Sequence, residues 1–228
     1  EVLLLMPGDQ PWDEKVHILD ALLSDTPHRV IDGYHAVLYP PHAAVLLIAS
    51  EVEDAAAFSA PCTQSLGRTL EASPFGGTYR YRLWLPDGPA ASACVTGLQP
   101  TSVQWASGVR LLGYSIEGHV QPGETLHAIL HWETTRGPLG EDIHWFNHLF
   151  DKEELNWGQF DHASWPSARW QPGDQVMTHF DITIDPEAGA GPYVLRVGQY
   201  VYPSIESIPI VDVAGLPAAH AADLPLSQ

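Results

Sequence analysis

In the stretch ETLHAILHW, residues 124–132, apolar residues alternate with polar ones. Leu126, Ala128, Leu130 and Trp132 therefore project from one side of an extended strand. A strand with a single apolar side needs a second layer to cover it, which favours two antiparallel sheets packed face to face. The stretch thus predicts one strand of a β-sandwich.

The same kind of pattern continues on both sides of this strand. We predict strands at 109–116, 124–132, 143–151, 155–160, 175–184, 193–201 and 208–213. One turn occurs twice, as QPGE at 121–124 and QPGD at 171–174, with the proline and glycine that a type II turn requires. We also expect Tyr193 to form a corner hydrogen bond to upstream backbone. Seven short strands predict an immunoglobulin- or fibronectin-like sandwich over residues 109–213.

The region before this sandwich mixes strand and helix signals, and residues 1–88 predict a small α/β domain. In chain order, we expect a strand at 2–6, a helix from Pro11, strands at 29–31, 36–39 and 45–48, a helix at 52–58 and a strand at 78–85. Residues 89–108 predict a connection with one strand around 93–97, and residues 214–228 predict a frayed tail. The expected fold class is α+β and mostly β.

Charge restricts the function. Ten Lys and Arg against 28 Asp and Glu give a net charge of −18, which disfavours nucleic acids and anionic lipid surfaces as partners.

The longest apolar runs fall far short of the ~20 residues that a membrane span needs. The start at Glu1, without Met or a basic segment, suggests a piece cut from a longer protein. Cys62 and Cys94 form either one disulfide or two buried thiols.

A resemblance to a known family lies mainly in the sandwich region. Its motifs are VRLLGY at 109–114, PGETL at 122–126, LHW at 130–132, FNHLFD at 146–151, WPSARWQPGD at 165–174 and GPYVLRVGQY at 191–200. Together they resemble the C-terminal extracytoplasmic region of polytopic bacterial membrane glycosyltransferases related to protein O-mannosyltransferases, common in Chloroflexi. Asn147 departs from that pattern, in which an apolar residue is usual.

The resemblance implies a location outside the cytoplasm, beside the membrane-embedded domain of the same parent chain. In such enzymes the catalytic carboxylates lie between membrane helices that this chain lacks, so no catalytic residue carries over. The resemblance therefore implies a non-catalytic accessory domain, tethered through a region upstream and not inserted into the membrane itself. Its expected role is to position a glycan acceptor or a partner protein.

Tryptophan supplies the candidate binding residues. Exposed indole rings stack on sugar faces while nearby amides and acids bind the hydroxyl groups. The residues that form such a platform, if they share a face, are Trp145, Asn147, Trp157, Gln159, Asp161 and Trp165. The alternative interpretation is that the tryptophans fill and cap the sandwich core.

Other site types receive less support. His127 and His131, like His144 and His148, are four residues apart, which on a strand is about 13 Å and too far to share an ion. A metal site would require partners on neighbouring strands, such as His131 beside His144 or His148. We predict no metal and no cofactor. The common enzyme motifs are missing from the sequence, including G-x-S-x-G, H-E-x-x-H and nucleotide-binding glycine loops.

Two further functions stay open at this point. One is a free-standing carbohydrate-binding module. The other is a hydrolase that uses paired acids near the first strand–helix junction, where Asp9, Asp13 and Glu14 cluster. Acids at a helix start also serve as caps, which is the simpler role for these three residues.

Overall fold

The computed structural model describes residues 1–8, 14–72, 77–85, 97–163, 165–189 and 191–226. The first part contains the following elements: β1 (Val2–Met6), α1 (Glu14–Leu22), β2 (His28–Asp32), β3 (Ala36–Tyr39), β4 (Ala44–Ala49), α2 (Glu53–Ser59), β5 (Gln64–Ala72) and β6 (Gly77–Trp84). Within these described ranges, no helix combines the length and apolar character needed to cross a membrane.

Five of these strands form a mixed sheet in the order β2-β1-β4-β6-β5. The pairings of β1 with β2 and β4 are parallel, whereas β4 with β6 and β6 with β5 are antiparallel. Residues 3–6 of β1 are fully buried, as a central strand covered on both faces requires. Cys62, just after α2, is disulfide-bonded, and the sequence has one other cysteine, Cys94, which lies outside the described residues.

Among the described residues of the second part, from 97 onward, the regular elements are strands and one turn of 3-10 helix at Ser167–Arg169. Its strands are β7 (Gln99–Gln104), β8 (Val109–Glu117), β9 (Thr125–Thr134), β10 (Asp142–Asp151), β11 (Asn156–His162), β12 (Gln175–Thr183), β13 (Tyr193–Tyr202), β14 (Glu206–Ile208), β15 (Ile210–Val211), β16 (Pro217–Ala219) and β17 (Ala221–Pro225). The fold is therefore mostly β.

Two antiparallel sheets make up the sandwich-like body. One has the order β3-β12-β9-β8-β7, and the other has the order β11-β10-β13-β14 with β17 also paired to β13. Between them lies a cluster of five tryptophans, each at most 1% exposed: Trp105, Trp132, Trp145, Trp165 and Trp170. The Trp132 ring on one sheet lies 6.2 Å from the Trp145 ring on the other. These rings fill the space between the two sheets.

Several local predictions are confirmed. Both QPG turns close with a hydrogen bond from the fourth residue to the first, at 3.1 Å, and Gly123 and Gly173 adopt positive φ. The Tyr193 hydroxyl donates to the carbonyl of Gly189, four residues upstream. Short-range turn chemistry explains why these features were readable from sequence.

Other segments differ from expectation. Strand β3 leaves the first sheet and pairs with β12 of the sandwich. The expected strand at 208–213 is divided at Pro209, which lacks the amide hydrogen that a continuous ladder needs. β5 and β7 were not predicted, and most of the strand expected around 93–97 lies outside the described residues. The tail beyond 213 forms β16, which pairs with β15, and β17, which pairs with β13 and buries Ala222 and Leu224.

Candidate functional site

Strand β10 carries aromatic residues on both of its sides. By the two-residue alternation of a strand, Ile143, Trp145, Asn147 and Leu149 face inward and all are buried. The residues between them face outward and are partly exposed. The two predicted platform residues on this strand, Trp145 and Asn147, therefore both face inward.

Three of the six predicted binding residues lie in the core. Trp145 and Trp165 are 1% exposed and their rings lie 4.1 Å apart between the sheets. Asn147 is fully buried and donates from Nδ2 to the carbonyl of Phe160 at 2.9 Å. None of these three side chains reaches a ligand in solvent in this conformation.

The other three predicted residues lie on β11, the edge strand of the same sheet. Trp157 is half-buried, and its Nε1 donates to Asp151 Oδ2 at 2.6 Å. Gln159 and Asp161 are exposed, and Asp161 pairs with His148 Nε2 at 2.9 Å. Gln159 and Asp161 pair in register with His148 and Phe146 and so lie beside the outward side of β10, whereas Trp157 lies at an irregularity of this pairing and packs against the core.

A row of rings on β10 and β13 was missed by the sequence reasoning. We name it the outer aromatic face, and it comprises His144, Phe146, His148, Phe150, Tyr200 and Tyr202. The His144 and Tyr202 rings are stacked with centroids 4.6 Å apart, and the Phe146 and His148 rings follow at 5.1 Å. The sequence did contain a signal for this face. If Trp145 points into the core, its neighbours His144 and Phe146 on the same strand must point to the opposite side.

The Phe146 ring lies across Gly198 of the neighbouring strand β13. A Cβ atom at Gly198 would overlap this ring, so the ring occupies the space that a side chain would fill. The arrangement is that of an aromatic residue covering a cross-strand glycine. It holds the ring over the backbone of β13 with its other side directed away from the sheet.

Ion pairs surround the outer aromatic face. His144 pairs with Asp142 at 3.3 Å, and Arg196 pairs with both Glu154 and Asp223. The Arg196 guanidinium lies 4.7 Å from the Phe150 ring centroid and covers that ring. Burial raises the pKa of the Tyr200 hydroxyl, and the negative charges of Asp161 and Asp142 raise it further.

A shallow cleft of about 280 Å³ opens beside this face, where β11 approaches the end of β12. We name it the edge cleft, and the residues that line it are Asn156, Trp157, Gly158, Gln159, Thr183 and Asp185. Asp185 N donates to the carbonyl of Trp157 at 2.8 Å, so backbone contact fixes the two strands here. The cleft offers an indole, two amides, a hydroxyl and a carboxylate.

Two carboxylates near this end, those of Asp151 and Glu154, stay ionised near neutral pH because their pKa values are lowered. The hydrogen bond from Trp157 is the main reason that the pKa of Asp151 is lowered. The hydrogen bond and charge of Arg196 lower the pKa of Glu154. A general acid needs the opposite shift, so these two groups are suited to holding side chains in place.

The histidine pairs do not form a metal centre. His131 lies on β9 and both His144 and His148 lie on β10, and these strands belong to different sheets, so the cross-strand arrangement considered above does not occur. Among the described residues, no group of three or more His, Cys, Asp or Glu side chains is arranged to hold a metal ion. Asp9 and Asp13 of the alternative hydrolase site lie outside the described residues.

Comparisons with known proteins do not place this chain in a family. Neither protein-family models, nor curated proteins, nor solved structures gave a match.

Proposed function

We propose that this chain is a non-catalytic glycan-binding accessory domain, and that the outer aromatic face is its binding surface. The observation that carries the proposal is the row of partly exposed rings on one side of a sheet, bordered by amides and carboxylates. Aromatic rings contact the C–H faces of sugars, while carboxylates and amides hydrogen-bond their hydroxyl groups. A preformed sheet supplies this surface with little loss of conformational entropy on binding.

The parent protein is, in this proposal, an extracytoplasmic membrane glycosyltransferase, and this domain positions its glycan acceptor. The resemblance of the sandwich motifs to such enzymes supports this role. The disulfide at Cys62 supports an oxidising compartment. We further propose an immunoglobulin- or fibronectin-like sandwich, supported by two antiparallel sheets and by the hydrogen bond of Tyr193.

Affinity electrophoresis through gels that contain soluble mannan, dextran or β-glucan tests the binding. At least one polymer should retard the wild-type protein. Phe146→Ala should weaken binding to that polymer roughly tenfold, about 1.4 kcal/mol, because it removes a central ring of the face. Retardation by none of the three polymers would contradict the proposal.

A matched pair of glycine variants tests the geometry of the face. Gly198→Ala keeps every ring but forces Phe146 off β13, so it should weaken binding about as much as Phe146→Ala does. Gly140→Ala adds the same methyl group where nothing lies within 4 Å, and it should bind like the wild type. Thermal unfolding of each variant separates lost binding from lost folding. Equal binding by both variants would show that the position of Phe146 is irrelevant.

The parent gene tests the second part of the proposal. Membrane-spanning segments encoded in the same reading frame would support a tethered accessory domain. A gene that encodes this domain without them would favour the free-standing carbohydrate-binding module instead.

A further inference from the structure

The rings of the outer aromatic face repeat along the strands. From the His144–Tyr202 stack the row continues through Tyr200, 5.6 Å from His144, and then along β10 to Phe146 and His148, 5.1 Å apart. The outward positions of β10 from Asp142 to His148 extend over roughly 20 Å at ~3.3 Å per residue. One monosaccharide would cover a small part of this length, whereas a chain of sugar units would contact ring after ring.

The charges around the row select against acidic ligands. Four carboxylates border it, those of Asp142, Glu154, Asp161 and Asp223, and Arg196 is shared by two of them. The chain as a whole carries a net charge of −18. A glycan with uronic acid, sulfate or phosphate groups would be repelled, so the surface suits an uncharged chain.

One end of the row is closed and another is open. Arg196 covers the Phe150 ring, which prevents a sugar from stacking there. Beyond His148, the neighbouring outward side chain is Gln159 on β11, which also lines the edge cleft. A ligand that follows the row is therefore directed across Gln159 into this cleft.

The edge cleft has the groups that a terminal sugar unit needs. One carboxylate oxygen of Asp185 accepts the backbone amide of Glu187 at 2.8 Å, which orients the carboxylate. Asn156 Nδ2 donates to Gln159 Oε1 at 3.0 Å, so the two amides support one another. None of the described residues around the cleft is a cation, which matches the charge of the row.

We infer that the ligand is an extended, uncharged glycan chain that lies along β10 and places its last unit in the edge cleft. This inference depends on the proposed glycan binding and specifies its ligand. It assigns Trp157, Gln159 and Asp185 to the recognition of the terminal unit. These residues set specificity, and the rings of the face supply most of the contact.

Isothermal titration tests chain length, with neutral oligosaccharides of one to six units prepared from the polymer that retards the protein. The dissociation constant should fall at least tenfold between one unit and four or more units. Equal affinity for one unit and for six would overturn the extended ligand but leave glycan binding intact. Retardation by no neutral polymer would instead reject the proposed function, and this inference with it.

Two further comparisons test the charge and the end of the site. Alginate and polygalacturonate should bind at least tenfold more weakly than the neutral polymer at low salt, and equal binding would overturn the uncharged ligand.

Asp185→Asn and Gln159→Ala should weaken binding of the longest oligosaccharide about fivefold. They should change binding of the shortest oligosaccharide that binds by less than twofold, because the rings supply most of its contact. Gln104→Ala, at an exposed position of β7 away from the cleft, is the control. Binding of the longest oligosaccharide that is unchanged by Asp185→Asn and Gln159→Ala would remove the cleft from the site.

Discussion

The Arg29 side chain links the two parts of the chain at a buried position. It is 3% exposed, and it donates from Nε and Nη2 to the two carboxylate oxygens of Glu1 at 2.8 and 3.0 Å. Its Nη1 and Nη2 also donate to Asp174 Oδ2 and Oδ1 at 2.5 and 3.1 Å. Asp174 ends the second QPG turn, so one guanidinium connects strand β2 with the sandwich.

We predict that Arg29→Met lowers the free energy of unfolding by about 3–5 kcal/mol, because it leaves the buried carboxylate of Asp174 without a cation and Glu1 paired with His42 alone. Urea unfolding at pH 7 measures this loss. The control is Lys152→Met, which removes an exposed cation 3.5 Å from Glu153 and should change stability by less than about 0.5 kcal/mol. A loss for Arg29→Met no larger than that of the control would mean that the buried pairing contributes little.

At the scale of elements, three histidines meet where β3, β11 and β12 come together. His35 lies before β3, with its ring 6.1 Å from that of His162 on β11 and 6.4 Å from that of His179 on β12. The pKa of His162 is lowered to about 3 and that of His179 to about 4, mainly by desolvation, and neighbouring His35 contributes to both shifts. His144 and His179 also lower the pKa of His162, while Asp54 and Asp181 act against the shift at His179.

These shifts predict acid sensitivity. These two histidines should contribute no pH dependence above about pH 7.5, one unit over the ordinary histidine pKa, because they are then neutral in both the folded and the unfolded state. As pH falls from 6.5 towards 4, the unfolded state takes up protons that the folded state does not. The free energy of unfolding should then decrease by at most about 1.4 kcal/mol per pH unit for each histidine.

Urea unfolding at pH 7.5, 6, 5 and 4.5 measures this slope. His179→Gln should reduce the slope, because one of the two groups that resist protonation is gone. His119→Gln, at an exposed position, should keep the wild-type slope. A free energy of unfolding that is unchanged from pH 7.5 to 4.5 would rule out buried neutral histidines at this junction.

At the scale of the whole molecule, the last strand completes the sheet that carries the outer aromatic face. β17 pairs with residues 194–198 of β13, and Leu224 is 3% exposed. We predict that Leu224→Ala lowers the free energy of unfolding by about 2–5 kcal/mol, as expected for a buried leucine. Leu216→Ala, at a position 62% exposed, is the matched control and should have little effect in the same thermal or urea unfolding experiment. Similar values for both variants would indicate that the tail is frayed after all.

Most strands could be predicted because their signals are local. Alternation marked β9, and proline–glycine turns marked where β9 and β12 begin, since both depend on residues a few positions apart. The tail was harder to interpret: its small residues and prolines masked the alternation of Ala222 and Leu224, which becomes apolar pairing only beside β13.

The candidate site could be predicted only in part. Sequence alone identified β10 and β11 as aromatic strands and, by alternation, divided each into two sides. It did not determine which side faces solvent, because in β10 Trp145 lies on one side and Phe146 on the other, and both sides are apolar enough to be buried. That choice required the second sheet, whose tryptophans cover the Trp145 side.

Sequence by itself thus determined the strands, the repeated turn and the acidic charge, all of which follow from the residues and their near neighbours. The tertiary structure alone decided that β3 joins β12, that Arg29 lies between Glu1 and Asp174, and that Gln159 faces outward while Trp145 and Trp165 do not. Arg29 and Asp174 are 145 residues apart in sequence. Such contacts depend on which surfaces exclude water when the sheets pack, and no local pattern specifies that.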